Sequence, residues 1–385
     1  MKIAYLFGSL NRGGTETLLL DVFRNAKANK LEALGVYRKS GALEQEFIET
    51  EVPMHKLSVG WNTMLYLYRL RKLLIRNRID IIHAQQPLDA LYARISCAGL
   101  NKKVILSLHG YDFNDTRLAE VILKIILKRT DINIFVSSHQ QQYYLQKYVL
   151  KPDKQQVVYN GIAFDKLNFS ATHSMTLSHT MGKDTLSHQI NGIREELHIS
   201  SDTLLLGTVG NFVPGRDQLT LCRFINQLNE QDVKFHVVFV GKRMDQMPHL
   251  FDDCVSYCHE NGLSEFVSFV GSRTDVPDIL SELDAFIYAT DHDTFGIAVV
   301  EAMAVGVPVF VNDWEVMNEI TGNGKFATIY KTKDVADLLQ QFTVFLQNKQ
   351  VYLTKAAEAA KFVREKYSIE KHIERLKEVY SSKES

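Results

Sequence analysis

Short apolar runs alternate with longer amphipathic stretches from the first residues of this chain. "KIAYLF" (2–7) is a compact apolar run closed by Gly8, and "ETLLLDVFRNAKA" (16–28) puts Leu18, Leu19, Val22 and Phe23 on one helical face. "DIIHA" (80–84), "KVILSLHG" (103–110) and "DINIFVS" (131–137) repeat the short β-branched run, with helical spacing between them. The rhythm fades near "QVVYNGIAF" (156–164) and restarts at "IREELHISSDTLLLGTVGNF" (193–212). "FHVVFVG", "FVSFVG", "AFIYAT" and "VPVFVN" then supply further buried strands. Strands that are apolar throughout, each followed by a helix, predict parallel sheets covered on both faces. The expected fold is therefore α/β, with two doubly wound domains.

Between the two series lies "NFSATHSMTLSHTMGKDTLSHQING" (168–192), rich in Ser, Thr and His and without period. It reads as a linker or loop. The expected division is an N-terminal domain over 1–168, a linker over 169–192 and a second domain over 193–367. A final helix over 368–385 follows, with Ser368 as a cap between two helical stretches.

A length of 385 residues suits two domains of ordinary size. Charge is uneven although the net value is −1: residues 1–170 hold 24 Lys and Arg against 15 Asp and Glu, and the remainder 20 against 30. A basic half and an acidic half imply different partners. The four cysteines (Cys97, Cys222, Cys254, Cys258) form no C-x-x-C pair, and the expectation is reduced thiols in a cytoplasmic protein. Cys254, Cys258 and His259 lack a second pair of ligands and read as a helix interior. His173, His179 and His188 lack cysteines or carboxylates at ligand spacing. No metal site is expected. No apolar run reaches the ~18 residues of a membrane helix, and the first residues read as a strand rather than a secretory signal.

In open α/β sheets ligands bind beyond the carboxyl ends of strands, and four such places carry chemistry. Gly13 and Gly14 open a helix whose first N–H groups can face a phosphate, or they simply serve turn geometry. They match neither G-x-G-x-x-G nor the P-loop. His109 ends a strand before Gly110, placed for a sugar hydroxyl, a reacting phosphate or a structural bond. "GNFVPGRD" (210–217) puts Asn211 and Arg216 after another strand, where an Arg can hold a diphosphate or sit in solvent. In "DHDTFGIAVVEAMAVGVPVF" (291–310), a turn leads into an apolar helix closed by Gly306, with Asp293 before it and Glu301 within it. Glu301 among apolar neighbours calls for a partner, which the two hydroxyls of a ribose would supply. The N–H groups of Phe295, Gly296 and Ile297 would face phosphates. A solvated Glu on a half-exposed helix is the alternative.

Taken with "GGTE" (13–16), "DIIHA", "LHG" (108–110), "VVYNGI" (157–162), "VVFVG" (237–241) and "DTFGIAVVEAMAVGVPV" (293–309), the sequence resembles the retaining GT-B glycosyltransferases of family four along nearly its whole length. The resemblance implies two Rossmann-like domains facing across a cleft and metal-independent sugar transfer from a nucleoside-diphosphate sugar, with no other cofactor. It implies that Glu301 binds ribose, Asp293 the donor sugar hydroxyls, and Phe295–Ile297 the sugar and phosphate. Gly13 and Gly14 would approach the diphosphate, and His109 the transferred sugar. Two departures stand out. Asp293 replaces the family's Glu, and Asn211 with Arg216 replaces the usual Arg and Lys, so leaving-group stabilisation falls to Arg216 and helix N-termini.

The acceptor would be a glycan or lipid-linked saccharide in polysaccharide biosynthesis. The basic run "RLRKLLIRNR" (Arg69, Arg71, Lys72, Arg76, Arg78) either rests on an anionic membrane at its inner face or forms a solvated helix face. A nucleotide-sugar epimerase or phosphorylase of the same fold and a non-catalytic nucleotide-sugar-binding module are the competing readings. Nucleic acid is not an expected partner, because the basic residues form no recognised motif.

Overall fold

The computed structural model describes residues 1–111, 116–166 and 192–382, in two compact units: Met1–Ala163 with Glu365–Ser385, and Phe164–Arg364. The histidines of the linker and nearly all of the linker itself lie outside the described residues.

In the first unit the chain forms β1 (Lys2–Ser9), α1 (Gly14–Arg24), β2 (Glu32–Lys39), α2 (Glu44–Ile48), β3 (Met54–Lys56), α3 (Thr63–Arg76) and β4 (Ile81–Ala84). It continues as α4 (Pro87–Ser96), β5 (Lys103–Leu108), α5 (Arg117–Arg129), β6 (Ile132–Phe135), α6 (Ser138–Lys147) and β7 (Gln155–Val157). These seven strands make one parallel sheet in the order β3-β2-β1-β4-β5-β6-β7. The second unit holds α7 (Ile193–Glu196), β8 (Leu204–Val209), α8 (Gln218–Asn229), β9 (Phe235–Val240), α9 (His249–Glu260), β10 (Val267–Gly271) and α10 (Val276–Glu282). β11 (Ala285–Tyr288), α11 (Ile297–Val305), β12 (Val309–Asn312), α12 (Glu315–Ile320), β13 (Thr328–Tyr330) and α13 (Val335–Gln347) follow. Its six parallel strands are ordered β10-β9-β8-β11-β12-β13. The helices α14 (Lys349–Lys366) and α15 (Ile369–Ser381) complete the chain.

Burial on both faces explains the unbroken apolar runs. In β1, Ile3, Tyr5 and Phe7 pack with α1 and α15, while Ala4 and Leu6 pack with α3 on the opposite face. The strand order reverses at β1/β4 and at β8/β11, and a parallel sheet of this kind leaves a crevice at such a reversal. The expected cysteines are confirmed as buried free thiols, with Cys254 and Cys258 inside α9 and Cys222 in the same core.

Ser368 caps α15, its Oγ accepting the Lys371 N–H at 3.3 Å. Ile369, Ile373, Leu376, Val379 and Tyr380 then lie at helical spacing and enter the same core as Tyr5. At the other end Lys103 Nζ donates to the Val379 and Ser382 carbonyls, both at 2.9 Å, satisfying orphan acceptors of the last turn. A buried polar relay fastens this helix to the sheet. The Tyr380 hydroxyl lies 2.7 Å from the Tyr5 hydroxyl and 2.8 Å from His83 Nδ1, whose Nε2 lies 2.7 Å from Ser107 Oγ. Nearby, His372 Nδ1 donates to the Tyr159 carbonyl at 2.7 Å.

Tyr380→Phe leaves two buried polar groups short of a partner. Urea unfolding should show a loss of about 1–3 kcal/mol, the usual cost of such a group; an unchanged midpoint would show that the hydroxyl contributes nothing. Acid should also weaken the fold. Burial pushes His83 down to about 3 and His372 down to about 4 from an ordinary 6.5. Unfolded histidine protonates first, so stability is complete above about pH 6.5 and falls as pH drops, by about 1.4 kcal/mol per pH unit for each residue. Asp89, raised to about 6 by burial despite the Arg38 guanidinium, offsets part of this below pH 6. His372→Gln should therefore flatten the fall in urea midpoint between about pH 6.5 and 4.5, and an unaltered slope would sink the assignment.

Candidate functional site

In the second unit the sequence-predicted residues gather at the β8/β11 reversal. β8 ends at Val209, and the loop through Gly210, Asn211 and Arg216 returns to β11 through an Arg216–Thr290 bridge and an Asp217 N–H bond to the Ala289 carbonyl. Gly215 is required there. Its φ of +83° is left-handed, and a Cβ would meet the His292 ring at 1.8 Å. Gly296, the N-cap of α11, is also left-handed at +80°, and a Cβ would stand 2.9 Å from Met317 Cε. Gly215 thus lets the loop after β8 approach the turn after β11, and Gly296 lets that turn pack against α12.

The result is an ion pair. Arg216 Nη1 donates to Asp293 Oδ2 at 2.7 Å, and the Tyr288 hydroxyl donates to the same oxygen at 2.6 Å. The guanidinium also lies 4.6 Å from the centre of the Tyr288 ring. Phe295 N approaches Asp293 Oδ1 at 3.4 Å, and Trp314 Nε1 holds the Asp293 carbonyl at 2.9 Å. The pair is only partly exposed, at 23% for Arg216 and 13% for Asp293, so each charge depends on the other. Asp291, at the start of "DHD", has Lys333 Nζ at 3.3 Å and His292 Nδ1 at 3.2 Å.

α11 buries Val299, Val300, Ala302, Met303 and Ala304 and leaves Ile297, Ala298, Glu301 and Val305 partly exposed. Glu301 is thus on the one face not packed into the core. Asn211 is bound into the fold itself. Its Oδ1 accepts the Lys242 N–H at 2.9 Å, tying the ends of β8 and β9 together.

The first unit holds the other candidates. Gly13 is the extended N-cap of α1, and the nearest atom to a Cβ there would be Glu16 Oε2 at 2.7 Å, the mobile end of a side chain. Gly14 is the first residue of α1. His109, half-buried after β5, has Nε2 at 2.9 Å from Gln85 Oε1. Burial, aided by His372, pushes His109 down to about 4, so it is neutral at pH 7. Gln140 Nε2 and the Tyr144 hydroxyl donate to the Gly110 carbonyl at 2.8 and 3.1 Å and fix this loop. Gln85 and His109 line a cavity of about 510 Å³.

Of the basic run, Arg69, Lys72, Arg76 and Arg78 are at least partly exposed. Arg71 instead turns inward and donates to the Ser96 and Ala98 carbonyls at 2.9 and 2.7 Å. Sequence reasoning missed Tyr288 and Gln85. Tyr288 is indistinguishable in sequence from a core strand residue, whereas Gln85 follows β4 directly and the strand-end rule would have found it. Among the described residues no group of three or more His, Cys, Asp or Glu is placed to hold a metal ion. No helix of the described residues is long and apolar enough to cross a membrane.

Residues 12–166 match Glycosyltransferase Family 4 and residues 189–366 match Glycosyl transferases group 1. The chain is 22% identical over 366 residues to the O-antigen biosynthesis glycosyltransferase WclY of Escherichia coli, covering 91% of this chain and 90% of that protein. It is 21% identical over 331 residues to the UDP-Gal:alpha-D-GlcNAc-diphosphoundecaprenol alpha-1,3-galactosyltransferase of Escherichia coli, covering 82% and 79%. In fold it is similar to the crystal structure of Anabaena HepE in complex with UDP and glucose, with a TM-score of 0.82, 18% identity and both chains covered in full. With two parallel sheets matching that architecture and both family patterns in order, the chain belongs to the family four, group 1 GT-B glycosyltransferases.

Proposed function

We propose that this protein moves a sugar, with retention and without a metal ion or other cofactor, from a nucleoside-diphosphate sugar to a glycan or lipid-linked acceptor in polysaccharide biosynthesis. The observation that carries the reading is the guanidinium of Arg216 held by Asp293 and Tyr288 beside the start of α11. Asn211 has its side-chain oxygen committed to Lys242, so the positive charge for a departing diphosphate in this loop falls to Arg216. Glu301, on the partly exposed face of α11, takes the ribose hydroxyls, and Phe295–Ile297 take the sugar and phosphate. Asp293 uses Oδ2 to aim Arg216 and directs Oδ1 toward a donor sugar hydroxyl. Gly13 and Gly14 serve the diphosphate, and His109, neutral at pH 7, hydrogen-bonds the transferred sugar.

The first unit is assigned to the acceptor and the second to the nucleotide sugar. In this mechanism the departing phosphate helps deprotonate the acceptor during front-face attack, and the chain supplies position and preorganised charge. With a lipid-linked acceptor the protein works in the cytoplasm at the inner face of a membrane, which it touches through the exposed cations of α3. The names of the relatives support this direction: one acts in O-antigen biosynthesis and one on a diphosphoundecaprenol-linked sugar.

A thermal-shift screen of nucleotide sugars should give one that raises the melting temperature of the wild type. Glu301→Ala should weaken that donor by at least about tenfold and abolish transfer; near-normal rates would defeat the ribose assignment. Tyr288→Phe removes one of two donors to Asp293 Oδ2. It should lower kcat about 10- to 100-fold with little change in donor KM, in line with a hydrogen bond to a charged group. Equal loss in KM and none in kcat would show that Asp293 serves ground-state binding alone. Release of nucleoside diphosphate only when acceptor is present separates transfer from a donor-binding module or an epimerase.

A further inference from the structure

The candidate site of the second unit is held by a residue that the transfer chemistry does not use. Thr290 follows β11 by two positions and Asn312 is the last residue of β12; both are 1% exposed. Polar side chains at that depth are costly unless their atoms find partners. Asn312 Oδ1 accepts the Thr290 N–H at 2.9 Å, and Asn312 Nδ2 donates to the Thr290 carbonyl and to Thr332 Oγ1, both at 2.7 Å. One amide therefore holds both backbone groups of Thr290. β11 and β12 pair in register up to Tyr288 and Val311, and the Asn312 side chain extends that hold past the end of the ladder.

So held, Thr290 faces the loop after β8. Residues on either side of Arg216 pair with residues on either side of Thr290. The Asp291 N–H donates to the Gly215 carbonyl at 3.0 Å, and the Asp217 N–H to the Ala289 carbonyl at 3.1 Å. The Thr290 hydroxyl then works in two directions. It donates to the Gly215 carbonyl at 2.8 Å, on the peptide that leads into Arg216, and it accepts the Asp293 N–H at 3.2 Å. The second bond closes residues 290–293 into a turn. The chain doubles back there and brings the Asp293 carboxylate to Arg216 Nη1. A single oxygen thus ties the backbone beside the cation to the backbone of the acid.

We propose that Thr290 is the positioning residue of this site, its hydroxyl setting where the Arg216 guanidinium stands and Asn312 keeping that hydroxyl in place. Neither side chain meets a substrate in this role. The inference rests on the reading of Arg216 as the cation for a departing diphosphate and adds what aims it. An arginine side chain has many rotamers, and a guanidinium fixed before the ligand arrives has less freedom to lose on binding.

Thr290→Val keeps the size and branching of the side chain and removes the hydroxyl, whereas Thr290→Ser keeps the hydroxyl. Binding of inorganic diphosphate to the full-length protein is measured by calorimetry, at a temperature where circular dichroism shows each variant fully folded. T290V should weaken binding by at least about tenfold, as losing a well-placed charged donor does, and T290S should stay within about threefold of the wild type. Wild-type affinity in T290V, or an equal loss in T290S, overturns the proposal. The second arm needs no ligand. In a crystal structure of T290V the bond between Arg216 and Asp293 should be broken, and an unmoved pair overturns the proposal as well. Should T290V not fold, T290C takes its place with the same expectations, since a thiol is only a weak donor. Arg216 displaced in that crystal, with no diphosphate bound by the wild type, would sink the diphosphate assignment and spare the positioning role. Diphosphate bound equally by the wild type and T290V would sink the positioning role alone.

Discussion

Everything in the second unit's candidate site follows from the pairing of β8 with β11. Those strands are neighbours in the sheet but far apart in sequence, because the strand order reverses between them. Chain leaving β8 enters α8, packed with α9 and α13, whereas chain leaving β11 enters α11, packed with α10. No helix fills the gap at such a reversal, so the two outgoing loops meet each other. Gly215 lets the first loop come against His292 of the second where any side chain would collide. The meeting brings one cation from the first loop to one carboxylate from the second. The first unit repeats the plan at β1/β4, where β4 delivers Gln85 and its neighbour β5 delivers His109.

The Arg216–Asp293 pair explains the two departures from the family pattern better together than separately. Aspartate is a methylene shorter than glutamate, and an arginine is a long, forked donor. The short acid holds the fork from below while the Tyr288 ring lies against the guanidinium, so position is fixed from two sides. A partly buried carboxylate would be costly with one donor missing. Tyr288 provides that second donor at 2.6 Å, and its hydroxyl is used fully even though the strand around it is core. Asn211 shows the complementary effect. Its amide oxygen serves the backbone of the adjoining loop, accepting the Lys242 N–H.

The sequence made the parallel sheets legible because strands buried on both faces have no polar alternation to hide them. β1, β4, β5, β6, β8, β9, β10, β11 and β12 each contain a run read as apolar. Shorter elements such as β3, of two half-buried residues and one exposed, and α2, of five, carry too few positions for a period to show. Glu301 and Asp293 were legible from spacing and resemblance. The side chains that hold Asp293 and His109 were not, because Tyr288 and Gln85 look like ordinary strand-end residues until topology sets them beside those two. The inward turn of Arg71 was also hidden: a helix of one sign does not announce which cation will cap the carbonyls of its neighbour.

Glu301 shows how far such a reading can go on physical grounds. α11 is apolar at nearly every position, and its start and end are both fixed by left-handed glycines, Gly296 and Gly306. A helix so enclosed has one partly exposed strip, and a solvated charge placed only for solubility could stand anywhere along it. Yet Glu301 sits one turn after Ile297, on the strip that begins beside the first N–H groups of α11 and the Arg216–Asp293 pair. One turn is about 5.4 Å of rise. That height above the helix start is what the proposed function uses when it assigns Glu301 to a ribose and the first turn of α11 to a phosphate.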